Sequence, residues 1–349
     1  MVKRTIRAGQ ISGLIVLLVW GSFINGYLAG HAVCRDCIPP VAVLNHFAHW
    51  VTLAALAVFV FIVPVLVRVK RSRRLRLLMT GWLLPGVMAF GWWYGPAFLP
   101  RSAPDVEGLE FTVATYNVEA LASDPNQTYM IIQDLDADII AIQELSGVLG
   151  QKLRDGLMDE YPYQISQSLP NLENDGYGLL SRYPIVDYQI ELPFDDTGFY
   201  ELDVPRYIRA VIELQGQPIA VYVFHPPTPQ LPPHLYLPAT YNEDWLDQQT
   251  RLVTDVIVNE EYPVLVLCDC NATPRSRQYA LLSRYLDEAY GERGWGFGLT
   301  FPADRPMIRI DYVWHSDMFA ALEAKVWSTG GTSDHRPLWT RLILTKDYS

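Results

Sequence analysis

Apolar and polar positions follow two different rhythms along this chain. Before residue 100 the apolar runs are long. Residues 11–29 are nearly uncharged, a second run extends from Val41 or Phe47 to Val67, and a third covers residues 75–99. Each has about the length needed to cross a hydrocarbon layer of roughly 30 Å. This predicts three transmembrane helices, at about residues 10–29, 44–67 and 75–98. From Phe111 onward the apolar runs are short. Residues 111–116, 139–142, 185–192, 208–214, 219–224, 264–267, 310–314 and 338–344 read as strands. The run 185–192, after Leu179-Leu180 and Ser-Arg-Tyr-Pro, reads as a hairpin partner, and 208–224 as two strands about Gln215-Gly216-Gln217. Helices are predicted over 126–135, capped by Asn126, over 276–284, and over 241–258. In the last, Trp245, Leu252, Val253, Val256 and Ile257 recur at helical spacing. Many strands with few long helices predict an α/β (α+β) sandwich of two packed sheets flanked by helices, not a doubly wound parallel sheet. The Pro-rich stretch 225–233 is expected as a surface loop.

Charge divides the chain at the same place. Residues 1–104 hold eleven Lys or Arg and one acid, Asp36, for a net of +10; residues 105–349 hold 16 basic and 37 acidic residues, a net of −21. The expectation is a membrane anchor over 1–104 and a catalytic domain over 105–349, joined by the Pro-bearing linker Leu-Pro-Arg-Ser-Ala-Pro-Asp (99–105). Gly30-His31-Ala32 is a poor cleavage site and two further runs follow, which argues against a removed signal peptide. Trp82, Trp92, Trp93 and Tyr94 suit an interfacial belt. Lys3, Arg4 and Arg7 precede the first run, and Arg68, Lys70, Arg71, Arg73, Arg74 and Arg76 separate the second from the third. Basic segments stay inside. A multi-pass cell-membrane protein follows, with a cytoplasmic N-terminus and an extracytoplasmic second domain.

Four cysteines are too few for a disulfide scaffold. Cys34 and Cys37 fall in the expected outer loop, where an oxidising compartment would pair them; a metal site with His31 is the alternative. Cys268 and Cys270 are two apart at a strand end, where side chains point to opposite faces, so a mutual bond is not expected.

Candidate chemistry sits at the ends of the strand-like runs: Asn117, Glu144, Asp269 and Asn271, Asp311, and the pair Asp334-His335. Charge placed after apolar runs gathers side chains at one rim. A carboxylate such as Glu144, following apolar residues, must be paired, solvated or coordinated. Asp269 and Asn271, two apart in an extended segment, share a face. The bland readings are a surface Glu144, a turn-forming Asn117, Asp269 and Asn271 as caps for the following helix, and a structural His335–Asp pair.

In order, Tyr-Asn-Val (116–118), Gln-Glu (143–144), Ser-Arg-Tyr-Pro (181–184), His225 with Pro227, Asp-x-Asn (269–271), Arg-Ile-Asp-Tyr (309–312) and Ser-Asp-His (333–335) resemble the endonuclease/exonuclease/phosphatase superfamily. Members share the DNase I-like fold, a four-layer sandwich, and the resemblance spans residues 111–344. With the preceding spans, the chain looks most like the bacterial membrane-bound branch that includes teicoplanin-resistance membrane proteins, thought to act on undecaprenyl-linked phosphates outside the cell. The resemblance implies that Glu144 holds Mg²⁺, with Mn²⁺ as the alternative, and that Asn117 shares the metal environment or bonds a phosphate oxygen. It implies that Asp334 completes that environment, that Asp269 orients or deprotonates the attacking water, and that Asn271 donates its amide to the phosphoryl group. His335 would contact the phosphate, oriented and kept protonated by Asp311, and His225 would be a second phosphate-facing histidine. One departure is visible: the family's usual Gly-Asp-Phe-Asn is Cys268-Asp269-Cys270-Asn271 here.

The expected reaction is metal-assisted attack of water on phosphorus. The same residues serve monoesters, diesters and pyrophosphates, so charge and location must choose the substrate. A second domain of net −21 with three lysines, Lys152, Lys325 and Lys346, is a poor partner for nucleic acid. Tethering beside a bilayer concentrates lipid head groups, and Trp295, Phe297 and Phe301 could form an apolar lip, core packing being the alternative. The leading expectation is therefore hydrolysis of a lipid phosphate or pyrophosphate, such as a polyprenyl carrier. The alternatives are a phospholipid head-group phosphodiesterase, an extracytoplasmic nuclease and a catalytically inactive membrane module.

Overall fold

A computed structural model describes residues 2–68, 73–102, 104–119, 122–169, 172–192, 203–230 and 241–345. Lys70 and Arg71 of the basic cluster, Lys346, and residues 231–233 of the Pro-rich stretch lie outside them. The chain divides into two compact units, one of Met1–Leu99 with Pro232–Tyr241 and one of Pro100–Leu231 with Asn242–Ser349.

The first unit is helical: α1 (Val2–Cys34), α2 (Pro39–His46), α3 (Ala48–Arg68) and α4 (Arg73–Trp93), then a short 3-10 turn at Gly95–Phe98. Within α1, Ile15–Cys34 is long and apolar enough to cross a membrane. The second apolar run is not one straight helix. It is interrupted at Phe47 (φ −110°, ψ 17°), where α2 and Ala48–Pro64 meet at 78° and together make one bent candidate span. In the third run the described apolar helix is Leu77–Trp93, within α4. Cys34 and Cys37 are disulfide-bonded, with Cα atoms 5.5 Å apart.

The second unit holds strands β1 (Gly108–Asn117), β2 (Ile139–Leu145), β3 (Tyr163–Leu169), β4 (Leu172–Ser181), β5 (Ile185–Glu191), β6 (Tyr207–Leu214), β7 (Gln217–Phe224), β8 (Val264–Asp269), β9 (Asp287–Glu288), β10 (Asp311–His315), β11 (Phe319–Val326) and β12 (Leu338–Thr345). Its helices are α5 (Pro125–Leu135), α6 (Gly147–Leu157), α7 (Asp244–Val258), α8 (Arg277–Leu282) and α9 (Ala289–Arg293). One six-stranded sheet has the order β11-β12-β1-β2-β4-β3, the other β5-β6-β7-β8-β10-β9.

Strand alternation builds the layers. On β8, Leu265 and Leu267 join Val113, Ile139 and Ala141 in the core between the sheets. Val264, Val266 and Cys268 face the opposite way and pack with Leu246, Val253 and Ile257 of α7. On the far side of the other sheet, Ala114, Tyr116, Ile140 and Ile142 pack with Ile131 and Ile132 of α5 and with Leu149 and Leu153 of α6. The result is the four-layer, two-sheet sandwich expected.

Local details correct several expectations. Asp124, not Asn126, caps α5: its carboxylate accepts from the Asn126 N–H, and Pro125 occupies the first turn, where a missing N–H costs nothing. Helix α7 begins at Asp244, three residues later than the periodicity implied. Strand β5 pairs with β6 in the second sheet, so Ser-Arg-Tyr-Pro is a crossing between sheets and not a hairpin turn. The β6–β7 hairpin does turn at Gln215-Gly216, both at positive φ (50° and 89°) as a two-residue turn of this hand requires. Cys268 and Cys270, not expected to bond, are joined by a disulfide. Regular alternation stops there because β8 ends at Asp269; the chain bends and the two Cα atoms come to 5.1 Å, within bonding range.

Candidate active site

The C-terminal ends of β1, β2, β7 and β8 and the first residue of β10 meet at one rim of the sandwich. The parallel pairs β1–β2 and β7–β8 bring Asn117, Glu144, His225 and Asp269 to the same end, and antiparallel pairing sets Asp311 directly opposite Asp269.

Glu144 reaches this rim through a backbone irregularity. In a regular pleat it would face the α5–α6 layer with Ile140 and Ile142. Instead the β2–β4 register shifts between Gln143 and Leu145, and Glu144 adopts φ +55°. A bulge re-aims the side chain. Beneath it Gln143, fully buried, bonds Thr115 Oγ1 (3.0 Å) and reaches across to the Leu267 carbonyl (3.3 Å) in the other sheet.

Asn117 links the carboxylates. Its Nδ2 donates to Glu144 Oε1 (2.8 Å) and Asp269 Oδ2 (2.9 Å), while its Oδ1 accepts from the Glu119 N–H (3.0 Å). Asp269 Oδ1 accepts from the Asn271 N–H (3.0 Å). Asn271, at φ +48°, donates Nδ2 to the Pro226 carbonyl (2.9 Å) and so ties down the segment after His225. His225 lies between carboxylates, with Nε2 3.4 Å from Glu144 Oε1 and Nδ1 3.5 Å from Asp269 Oδ2. His335 holds Asp311 through Nδ1 (3.0 Å) and points Nε2 toward Asp269 Oδ2 (3.6 Å); Phe301 packs on its ring with centroids 4.9 Å apart. Asp334 Oδ1 is 3.8 Å from His335 Nε2, and its side chain is 41% exposed, the open edge of the group.

All eight residues singled out from the sequence therefore lie in one connected network. Glu119 was not singled out. Its Oε2 accepts from the Asp334 N–H (2.9 Å), and it lines, with Asp334, Ser328, Thr329, Thr332 and Arg336, a cleft of about 530 Å³. The available signal was its place two residues after Asn117; its φ of +45°, which turns it back to the rim, is not visible in sequence.

Electrostatics follow from this crowding. Burial alone would lower the His335 pKa, but Asp311, Asp269 and Asp334 outweigh it and hold the imidazole up at about 10. Burial pushes Asp311 up, against the pull of His335. Burial also pushes Asp334 up, to about 6, with Glu119 and Glu144 adding to it and His335 opposing. Burial would raise Glu144 too, yet His225 and Asn117 overcome it and the net shift is downward. Carboxylates outnumber cationic partners here, so the rim fits a divalent cation. Ligand atoms of Glu144, His225 and Asp269 lie within 4.8 Å of one another, as do those of Asp269, Asp311 and His335. Oxygen-rich donors of this kind suit Mg²⁺ or Mn²⁺.

Comparison with known proteins agrees with the architecture. Residues 114–335 match the model of the Endonuclease/Exonuclease/phosphatase family. No curated protein matches the sequence significantly. Among solved structures, an endonuclease/exonuclease/phosphatase from Bacteroides vulgatus superposes with TM-score 0.53 at 20% identity, covering 67% of this chain and 99% of its own. The mannosyl-6-phosphatase Bt3783 of Bacteroides thetaiotaomicron gives 0.51 at 18% identity, with 67% and 99% covered. A humanized D. rerio TDP2 gives 0.51 at 13% identity, with 67% and 98% covered. These likenesses are ones of fold.

Proposed function

Because the chain belongs to the endonuclease/exonuclease/phosphatase family, we propose that it is a membrane-anchored, divalent-metal-dependent phosphoric-ester hydrolase. Its substrate is a lipid phosphate or pyrophosphate, such as a polyprenyl carrier, met outside the cytoplasm. The observation that carries the reaction class is the joined Asn117–Glu144–Asp269 and Asp311–His335 network at the sheet rim.

Glu144 and Asp334 would hold the cation, with Asn117 fixing the Glu144 carboxylate by its amide. When bound, the cation supplies charge to the phosphoryl oxygens. Asp269, held by Asn117 on one oxygen and by the Asn271 N–H on the other, orients water and takes its proton. His335, cationic through Asp311, offers Nε2–H to the phosphoryl oxygens as negative charge develops. His225, beside Glu144 and Asp269, would face the phosphate as the second histidine. Asn271 fixes the segment after His225 with one amide proton and would offer the other to the phosphoryl oxygens.

Lipid is favoured over nucleic acid by net −21 over residues 105–349 and by an N-terminal helix of membrane-spanning length. The test is a screen of the full chain in mild detergent against polyprenyl pyrophosphate, phospholipids and plasmid DNA, with Mg²⁺ and with chelator. The expected result is Mg²⁺-dependent phosphate release from the lipid pyrophosphate, and a loss of at least ~10²-fold in Glu144→Ala and His335→Ala. Unchanged turnover in either variant refutes the mechanism. Faster cleavage of DNA than of any lipid refutes the substrate.

A further inference from the structure

The Cys268–Cys270 disulfide lies directly behind the proposed site. Both sulfurs' residues are buried, 0% and 3% exposed, among Tyr207, Phe224, Ala272 and Tyr312 in the core under α7 and α8. Between them Asp269 faces the other way, into the rim, and Asn271 follows on that side. In a regular strand, residues i and i+2 are separated by roughly 6.5 Å. Here the two Cα atoms are 5.1 Å apart. The bond therefore closes over a backbone that is shorter on the core side of Asp269 than a regular strand.

Neighbouring contacts fix the same bend. The Cys270 N–H donates to the Ile310 carbonyl (2.8 Å), which holds the segment against the residue just before Asp311. Asn271 is at φ +48°, a conformation that asparagine tolerates but that most side chains disfavour. Tyr312 Oη donates to the Ala272 carbonyl (2.8 Å) and closes the far end. A thiol pair at 268 and 270 would leave these hydrogen bonds to hold the bend unaided.

We infer that the Cys268–Cys270 disulfide is a positioning element for the Asp269 carboxylate and the Asn271 turn, and that its reduction lowers the turnover of the site. This rests on the proposed hydrolase reading. Reduction is a two-electron step: a dithiol such as dithiothreitol gives up two electrons and two protons, the S–S bond becomes two thiols, and the reductant closes to its own cyclic disulfide.

The experiment compares the full chain, its Cys268→Ser/Cys270→Ser variant and a Cys34→Ser/Cys37→Ser control, each with and without dithiothreitol. Intact-mass and alkylation analysis of the untreated protein is expected to find residues 268 and 270 bonded; free thiols there overturn the inference. In the lipid-pyrophosphate assay, reduction and the Cys268→Ser/Cys270→Ser variant are expected to lower kcat by ~10-fold to 10²-fold, the cost of a small misplacement of a reacting group, with KM nearly unchanged. The Cys268→Ser/Cys270→Ser variant should then be insensitive to reductant, and the control should respond as the natural chain does. A variant that retains full kcat overturns the inference. A crystal structure of the Cys268→Ser/Cys270→Ser protein separates this from a failure of the hydrolase reading. Should no substrate be cleaved by any form, the 2.9 Å Asn117–Asp269 and 3.0 Å Asn271–Asp269 contacts still decide. Lengthening of either supports a positioning role, and retention of both refutes it.

Discussion

Asp269 has 1% of its surface exposed, yet three groups converge on its Oδ2: Asn117 at 2.9 Å, His225 at 3.5 Å and His335 at 3.6 Å. A buried carboxylate is tolerable only with partners of this kind. The same rule operates far from the rim at His315, buried against Glu292 with Nε2 3.3 Å from Oε2. Burial would lower the His315 pKa, but Glu292 and the Ser316 carbonyl raise it; burial would raise Glu292, but His315 lowers it. A raised histidine contributes stability below its unfolded pKa of about 6.5 and loses it as pH climbs through the folded value. A lowered glutamate contributes above about 4.5 and loses it as pH falls. The pair therefore stabilises most between about pH 5 and 6.5. Melting curves of Glu292→Gln should show their largest deficit in that window and a smaller one at higher pH. A deficit that grows with pH would contradict the pairing.

At the scale of elements, strand β10 and helix α9 depend on an ion pair removed from water. Arg309 donates to Glu288 at 2.8 Å, with side chains 10% and 3% exposed, and its guanidinium lies over the rings of Tyr290 and Tyr312. Glu288 also accepts from the Tyr290 and Gly291 N–H groups as the N-cap of α9. Glu288→Ala leaves the arginine uncompensated and should cost about 3–5 kcal/mol in urea unfolding. A loss below about 1 kcal/mol would show that Arg309 finds other compensation. The strands that carry the rim were legible because their apolar runs end abruptly at Asn117, Glu144 and Asp269 or begin right after Asp311. Strands β3 and β11 passed unnoticed because polar residues interrupt them, as in Tyr-Gln-Ile-Ser-Gln (163–167) and Leu-Glu-Ala-Lys (322–325). The Glu144 bulge and the Cys268–Cys270 bond escaped for a different reason. Both are departures from pleat alternation that only the neighbouring strand or the chain's bend imposes. The break at Phe47 escaped as well, because hydropathy does not register a backbone kink within an apolar run.

For the whole molecule, the proposed location follows from the charge split and the apolar N-terminal helix, and it can be tested without substrate. With the second domain outside the cytoplasm, protease added to intact cells, or to spheroplasts of a double-membraned host, should degrade residues 105–349. Full protection while a periplasmic or surface marker is cut would place the domain inside.

The cross-sheet contacts carry one more consequence. Asn117 and Gln143 belong to one sheet, and Asp269 and the Leu267 carbonyl to the other, so the rim is also the seam that keeps the two sheets from sliding. Ligand capture and mechanical cohesion are thereby one property of the sandwich. A cation held by Glu144 and Asp334 would also attract the Asp269 carboxylate on the facing sheet and so act as a rivet across that seam. Its arrival should be readable as heat resistance: titrating Mg²⁺ or Mn²⁺ should raise the melting temperature in step with occupancy. Glu144→Gln, one side of the rivet gone, should blunt the rise before any catalysed reaction is observed.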